Sequence, residues 1–280
     1  MSVHDKNNVD TGDSVLLEYQ GNCAVVLLNR PDKRNAFDLN MWTGLESAVE
    51  QLRKRLPRVI VLTGAGDRAF SAGFDVNPAN PQVSSLMEAV RDHARGPVEK
   101  LLQYIRQTVD SLVTLPVPVI AAINGLAYGG GAELAVRCDM RVMDPEAVIC
   151  FSETRLGLMP DWGGGVALTR LAGKSVAAEL ILTARKVGAG EAFKLGLVNL
   201  VSRPGKVLED SLSMAEAISE NGPRAVRAAL EVIRRSTDMP LAEALKHETS
   251  IASDLIASGE CVHGISAFLS KKKPVFPDID

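Results

Sequence analysis

Hydrophobic residues in the first two thirds of the chain fall into short runs that are separated by turn-forming residues. Six runs have the length and composition of strands: residues 15–19, 24–29, 59–63, 119–123, 140–143 and 148–151. Several of these runs lack alternation with polar residues, which is typical of strands that are buried on both faces. The pattern therefore predicts a largely buried sheet.

Longer segments between these runs repeat their apolar residues at helical spacing. A helix is predicted over 39–55, where apolar residues from Met41 to Leu52 recur every three or four positions. A second helix is predicted over 98–115 and a short one over 129–136, whereas 77–93 has a mixed pattern. Alternating strands and helices favour parallel strands with helical crossovers.

From about Gly163 onward the pattern is almost entirely helical, apart from a strand signal at 197–201. The fold class is therefore α/β, with a core followed by a helical C-terminal layer. We expect a flexible N-terminal tail at 1–13, the core at 14–203 and the helical region at 204–280.

Composition and charge exclude several kinds of binding partner and site. The chain has 280 residues, 31 basic and 34 acidic, for a formal net charge of −3, which argues against broad binding to nucleic acid or to an anionic membrane. The four cysteines lie far apart, so neither a structural metal site nor a disulfide framework is expected. The polar N-terminal segment lacks the pattern of a secretory signal, and we expect a cytoplasmic protein.

Three segments carry the candidate chemistry. The first, residues 68–75 (RAFSAGFD), places small residues around Gly73, which permits close approach of another backbone or of a ligand. The same pattern also fits a tight turn between a strand and a helix.

The second segment, residues 123–133 (INGLAYGGGAE), starts the short predicted helix with three glycines. Unpaired backbone N–H groups at a helix start form a ready site for an oxyanion, and Glu133 follows on the first turn. The run lacks the pattern of a nucleotide-binding loop, because no Gly-Lys-Ser/Thr follows and the glycines are not spaced as in a dinucleotide site. A packing role for the glycines is the alternative.

The third segment, residues 151–165 (FSETRLGLMPDWGGG), contains two further acids. Glu153 follows an apolar strand, where a carboxylate must be paired or functional. Asp161 precedes a glycine run, and it could be catalytic or could cap the next helix.

Taken in this order and at these spacings, the three segments resemble the crotonase superfamily, the family of enoyl-CoA hydratases and isomerases. The resemblance extends from Asn29 to the tail at 268–273. It implies a spiral core of repeated ββα units and a C-terminal helical layer that makes trimers. It also implies an acyl-CoA thioester substrate.

In this family two backbone N–H groups polarise the thioester carbonyl, and the resemblance assigns them to Phe74 and Gly130. Such preorganised donors stabilise the negative charge of an enolate oxygen. The family's hydratases use two glutamates around one water, at positions that match Glu133 and Glu153. The presence of both favours reversible hydration of a 2-enoyl-CoA.

Asp161 departs from the hydratase pattern, which has glycine at this position. Dienoyl-CoA isomerases and some ring-acyl-CoA isomerases of the family resemble this chain in having Asp there. Double-bond isomerisation by Glu153 and Asp161 is therefore the alternative function. A non-catalytic acyl-CoA-binding or RNA-binding scaffold is a more remote one.

The resemblance further implies a set of substrate-binding and CoA-binding positions. These are Lys33, Arg34, Ala36, Arg68, Ala72, Gly73, Asp75, Val76, Tyr128, Gly129, Trp162, Phe268 and Lys271. Segment 77–95 matches the variable wall of the acyl pocket, and together with Trp162 it is expected to set the shape of the acyl chain. Phe268 and Lys271 match tail residues that reach the coenzyme A of a neighbouring subunit, although a solvated charged tail is the alternative for 271–273.

The remaining expectations concern partners and cofactors. We expect a homotrimer or a hexamer built as a dimer of trimers, as is usual in the family. No metal and no separate cofactor are expected, because coenzyme A is part of the substrate. Nucleic acid and membranes are not expected as partners.

Overall fold

The computed structural model describes residues 6–9 and 11–278. The strands are β1 Lys6–Val9, β2 Val15–Gln20, β3 Cys23–Leu28, β4 Val59–Gly64, β5 Ala69–Ser71, β6 Val119–Ile123, β7 Leu126–Tyr128, β8 Met140–Met143, β9 Val148–Cys150, β10 Val187–Gly188 and β11 Leu200–Val201. The helices are α1 Leu39–Lys54, α2 Pro81–Arg91, α3 Arg95–Val113, α4 Gly130–Arg137, α5 Gly164–Thr183, α6 Ala189–Lys194, α7 Val207–Ser219, α8 Pro223–Ser236, α9 Leu241–Ala257 and α10 Cys261–Leu269. Short 3-10 turns lie at Pro31–Lys33 and Glu153–Leu156.

Two sheets form the core. The larger sheet has the order β1-β2-β3-β4-β6-β8-β11 and is parallel from β3 onward. The smaller sheet has the order β10-β9-β7-β5, and its central pairs are parallel. From β4 to β9, consecutive strands alternate between the sheets, so β4/β5, β6/β7 and β8/β9 each contribute one strand to either sheet. This is the predicted mixed α/β core.

Burial explains why these segments form these elements. Every residue of β4 and β6 is buried, as expected for parallel strands that are covered on both faces. Asp38 caps the N-terminus of helix α1, where its carboxylate accepts the Met41 N–H at 3.0 Å. The apolar stripe of this helix lies in the core. The C-terminal layer is helical, and α7 packs against β4 and β6.

Several elements differ from the sequence-based prediction. Strand β1 lies within the segment 1–13 that was expected to be a loose tail, and it pairs antiparallel with β2 from Lys6↔Gln20 to Val9↔Leu17. Backbone pairing with an edge strand needs no apolar pattern, so the polar sequence gave no signal. Strands β5 and β7 and helix α2 were also missed.

No helix in the described part of the chain combines the length and the apolar character that are needed to span a membrane.

Candidate active site

Two glycine-containing loops meet where β5 and β7 end side by side in the smaller sheet. Gly73 follows β5 with a φ of +82°, and a Cβ atom at this position would lie 2.7 Å from the Gly130 nitrogen. It would also lie 2.9 Å from the Tyr128 carbonyl oxygen. Only glycine permits this approach, since both the backbone conformation and the space exclude a side chain. The contact brings the backbones of the first two sequence segments together.

Phe74 and Gly130 thereby present neighbouring backbone N–H groups. Around Phe74, Phe37 donates its N–H to the Gly73 carbonyl at 2.8 Å and accepts the Asp75 N–H at 2.9 Å, which fixes the intervening peptides. Gly130 is the first residue of α4, where an N–H has no partner within the helix. Within the described residues neither N–H donates to a protein acceptor. Two fixed, free donors are suited to bind a developing oxyanion.

Glu133 lies on the first turn of α4 and is only 1% exposed. Its Oε1 accepts the Asp161 N–H at 3.1 Å, and its Oε2 accepts the N–H groups of Trp162 and Gly164 at 2.8 Å each. Three donors stabilise the ionised form of a buried carboxylate. Glu133 therefore also determines the path of the loop that leads into α5.

Glu153 begins the 3-10 turn after β9 and is 8% exposed. Both of its side-chain oxygens are shielded from solvent, and neither has a hydrogen-bond donor among the described residues. Such an isolated carboxylate could not stay ionised without a large desolvation cost. The neutral acid avoids that cost, and burial accordingly raises the pKa of Glu153.

Burial raises the pKa of both glutamates, and repulsion by Glu153 adds to the rise for Glu133. Since the pKa of Glu133 is raised to about 8, the pair holds a proton near neutral pH. Glu133 accepts three backbone N–H groups, which favour its ionised form, whereas Glu153 accepts none from the described residues. Two buried carboxyl groups that retain one proton between them can serve as one base and one acid.

Asp161 is the third carboxyl group at the site. Burial, and then repulsion by Glu153, raise its pKa to about 6. The capping interpretation is wrong, because α5 begins at Gly164 and its N-cap residue is Gly163, which makes no side-chain cap. Trp162 and Gly163 separate Asp161 from the start of the helix, and Asp161 lines the central cavity instead.

That cavity has a volume of about 1120 Å³ and contains the predicted catalytic groups. It is lined by both oxyanion-hole residues, by all three acids and by the predicted binding residues Ala72, Val76, Gly129 and Trp162. Its apolar wall comes from Leu86, Val98, Leu101, Leu102, Ile105, Leu156, Leu158, Met159 and Val166. A concave, mostly apolar pocket with a few convergent polar groups is the usual form of a small-molecule site.

Trp162 forms a rigid part of this cavity. It is 3% exposed and packs edge-on against Phe37 and Trp42, with ring centroids 5.2 and 4.8 Å away. Its indole also lies flat against Gly130, where a Cβ atom would come within 2.5 Å of the ring. The indole therefore fixes the wall beside the oxyanion hole.

The other predicted binding residues lie elsewhere. Lys33 is the last residue of the 3-10 turn after β3, and Arg34 follows it directly. Arg68 donates to the Pro31 carbonyl of that turn at 3.2 Å. Ala36, two residues beyond Arg34, is buried. Asp75 is ion-paired with Arg30 at 3.0 Å, so its carboxylate has a partner within the protein.

Three further predicted residues also lie away from the central cavity. Tyr128 lines a separate cavity of about 430 Å³ together with Arg68 and Lys186. Phe268 is exposed on α10, and Lys271 follows that helix; neither lines the central cavity of its own chain. Their assignment to a neighbouring subunit remains a prediction.

Sequence reasoning missed Arg137 and the apolar wall from α3. Arg137 lies one helical turn after Glu133, on the same face of α4, and its Nη1 donates to the Trp162 carbonyl at 3.1 Å. That spacing was the available signal. The wall residues of α3 were visible as an amphipathic stripe but could not be assigned to a pocket.

Taken together, fold and site define an arrangement that can stabilise an oxyanion and exchange protons with buried carboxyl groups. Residues 18–279 match the family model for enoyl-CoA hydratase/isomerase. The chain belongs to this family and thus to the crotonase superfamily, whose substrates are acyl-CoA thioesters.

Relatives of this chain cover nearly its whole length. The enoyl-CoA hydratase EchA19 of Mycobacterium tuberculosis is 35% identical over 96% of this chain and 98% of its own. The crotonyl-CoA hydratase of Syntrophomonas wolfei is 33% identical over 94% of this chain and 98% of its own. The crystal structure of an enoyl-CoA hydratase from Bacillus anthracis is 35% identical, with a TM-score of 0.85 over 94% of this chain and 98% of that one.

Proposed function

We propose that this enzyme catalyses the reversible addition of water across the 2,3 double bond of an enoyl-CoA thioester. The observation that carries the proposal is that Glu133 and Glu153 line one cavity together with Phe74 and Gly130, whose N–H groups are free. One ionised and one protonated carboxyl group are what hydration needs.

In this mechanism the thioester oxygen accepts the two N–H groups, which draws electron density away from Cβ. Glu133 Oε1, which has a single N–H donor, retains room to accept a proton from a water molecule. The water oxygen bonds to Cβ while its proton passes to Glu133, and the proton of Glu153 passes to Cα. The proton on Glu133 then returns to Glu153, which restores the starting state.

A second candidate is double-bond isomerisation by Glu153 and Asp161. It is favoured by the Asp161 carboxyl group, which lines the cavity close enough to Glu153 for mutual repulsion. In that reaction one carboxyl group removes a proton from the substrate and the other returns a proton elsewhere along the chain.

Variants of the three acids distinguish the two functions. Turnover is followed as loss of the conjugated enoyl absorbance for 2-enoyl-CoA substrates of several chain lengths. We expect Glu133→Gln and Glu153→Gln to lower kcat by about 10²–10⁴-fold, and Asp161→Asn to retain hydration within about tenfold. If Glu133→Gln keeps full activity on a 3-enoyl-CoA substrate that Asp161→Asn no longer converts, isomerisation is the function.

We also propose that the enzyme works as a homotrimer or a dimer of trimers. Helices α9 and α10 contain no buried residue in the single chain, although both carry large apolar side chains. A neighbouring subunit would cover these side chains and would bring its Phe268 and Lys271 to the coenzyme A.

A further inference from the structure

The loop of residues 157–163, which carries Asp161 and Trp162, is held from one side by α4. Glu133 accepts three N–H groups from the end of this loop and the start of α5. Arg137, one turn further along α4, donates to the Trp162 carbonyl at 3.1 Å. Glu133 thus binds backbone N–H groups of this segment, and Arg137 binds one of its backbone carbonyl groups.

Arg137 also connects this loop to the wall of the cavity. Its Nη2 forms an ion pair with Asp110 Oδ1 on α3 at 2.5 Å, and the Arg137 side chain is only 15% exposed. Asp110 in turn pairs with Arg106, a cavity-lining residue, at 3.3 Å. A charge-assisted hydrogen bond with planar geometry restricts both of its partners.

The loop backbone is shaped around the guanidinium group. Gly163 has a φ of +93°, and a Cβ atom there would lie 2.3 Å from Arg137 Nη1. The chain therefore passes against Arg137 in a conformation that disfavours a side chain. Because glycine has wide conformational freedom, the hydrogen bond from Arg137 to the Trp162 carbonyl fixes the direction of the peptide that precedes Gly163.

We infer that Arg137 is a positioning residue. By linking the Trp162 carbonyl to Asp110, it orients the loop of residues 157–163. N–H groups at the end of this loop hold the Glu133 carboxylate, and Asp161 of the same loop lies in the cavity wall near Glu153. The inference rests on the proposed function for its kinetic readout. Arg137 does not line the cavity, so its effect on substrate passes through the loop.

Arg137→Met removes the donor and the charge while keeping an unbranched apolar stem. We expect kcat for the enoyl-CoA substrate to fall about ten- to a hundredfold, because a displacement near 1 Å is enough for such a loss. KM should stay within about threefold, since the coenzyme A and acyl contacts are intact. Arg137→Lys should recover only part of the loss, because one ammonium cannot reproduce the planar two-partner geometry. Arg53→Met, at an exposed position near the end of α1, is the matched control and should match wild type.

A double variant separates positioning from general stability. If Arg137 acts through the orientation of Glu133, Arg137→Met should lower kcat much less in the Glu133→Gln background than in wild type. Multiplicative losses in the two backgrounds, or a KM increase without a fall in kcat, would overturn the inference.

A fluorescence measurement keeps the test independent of the reaction. The chain has two tryptophans, so Trp42→Phe leaves Trp162 as the only tryptophan whose fluorescence is followed. Acrylamide quenching of Trp162 should rise at least about twofold when Arg137→Met is added, because the loop loses its fixed carbonyl. Unchanged quenching would contradict a positioning role. Wild-type inactivity on every enoyl-CoA tested, combined with increased quenching, would instead refute the proposed function and leave the role of Arg137 supported.

Discussion

The three carboxyl groups at the site differ because their donors differ. Glu133 accepts three backbone N–H groups, Glu153 accepts none, and Asp161 lies in the cavity wall beside Glu153. Burial therefore raises the pKa of all three groups, whereas the backbone donors at Glu133 favour its ionised form. At the residue scale, function depends on hydrogen-bond donors more than on residue type.

Asp161 predicts a pH-dependent cost in stability. Its pKa is raised to about 6 in the folded state from a usual 3.8, so between these values the folded chain keeps a proton that the unfolded chain has released. The free energy of unfolding therefore falls as the pH rises through this window. Asp161→Asn should stabilise the protein by about 1 kcal/mol at pH ~8, after allowance for partial exposure, and should have no effect near pH ~4.

Urea unfolding of the wild type and this variant at the two pH values measures the difference. A variant that is less stable than wild type near pH ~8 would show that Asp161 is stabilised by a partner rather than repelled by Glu153.

Gly73 predicts a direct test of the oxyanion hole. A methyl group at this position would lie 2.7 Å from the Gly130 nitrogen and would also meet an unfavourable φ. Gly73→Ala should separate the two N–H donors and lower kcat by about 10²–10³-fold, the cost of losing one such donor. Gly190→Ala is the matched control, because no atom lies within 4 Å of its Cβ position. Equal kcat values for the two variants would contradict the assignment of the hole.

At the scale of elements, the sequence predicted the larger sheet well and the smaller sheet poorly. Strands β6 and β8 have the predicted boundaries, since apolar runs of four or five residues leave little ambiguity. Strands β5 and β7 contain three residues each and are flanked by glycines, so they show no periodicity. Helix α2 carries Val83, Leu86, Met87 and Val90 at helical spacing, so a signal was present in the sequence and was overlooked; of its residues only Ala89 is buried.

The site was predictable to a similar degree. Motif resemblance identified Phe74, Gly130, Glu133 and Glu153, which the structure places around one cavity. It could not have identified Arg137, because its partner is the backbone carbonyl of Trp162 and a carbonyl has no signature in the sequence. Nor could it decide between the capping and cavity-facing alternatives for Asp161, which depend on where α5 begins.

A buried ion pair fastens helix α8 to the large sheet. Arg234 donates to Asp139 through Nε at 2.7 Å and Nη2 at 2.6 Å, and through Nη1 to the Leu115 carbonyl at 2.8 Å. Arg234→Met should lower the free energy of unfolding by about 2–3 kcal/mol, because it leaves the Asp139 charge half-buried and without its partner.

The neighbouring residue gives the control for this prediction. Arg235 pairs with Glu231 at the surface, and Arg235→Met should change the free energy of unfolding by less than about 0.5 kcal/mol. Both values come from urea denaturation. Equal effects of the two substitutions would mean that the Arg234 pair does not fasten α8.

At the scale of the whole molecule, the C-terminal layer is the least self-sufficient part of the chain. Leu241, Ile265 and Phe268 are 76%, 57% and 82% exposed, which is a large apolar surface for a free monomer. The arrangement is consistent with a layer that is buried between subunits.

Ile265→Asp therefore should shift the assembly toward monomers, because a charge on a buried apolar interface is strongly disfavoured. Sedimentation velocity at micromolar concentration would reveal the change, with wild type sedimenting as three or six chains. A monomeric wild type with full activity would contradict the proposed assembly. Exposed Lys246→Asp on α9 controls for charge alone.

The central claim is that the carboxyl pair adds water to a double bond that is polarised by two backbone N–H groups. Mass spectrometry of the acyl-CoA product formed in ¹⁸O-labelled water tests it most directly. The account predicts that 2-enoyl-CoA gains one water, with the ¹⁸O label on Cβ of the product. It also predicts that the Glu133→Gln and Glu153→Gln variants form this product far more slowly. A product of unchanged mass, or labelled product formed equally fast by both variants, would contradict it.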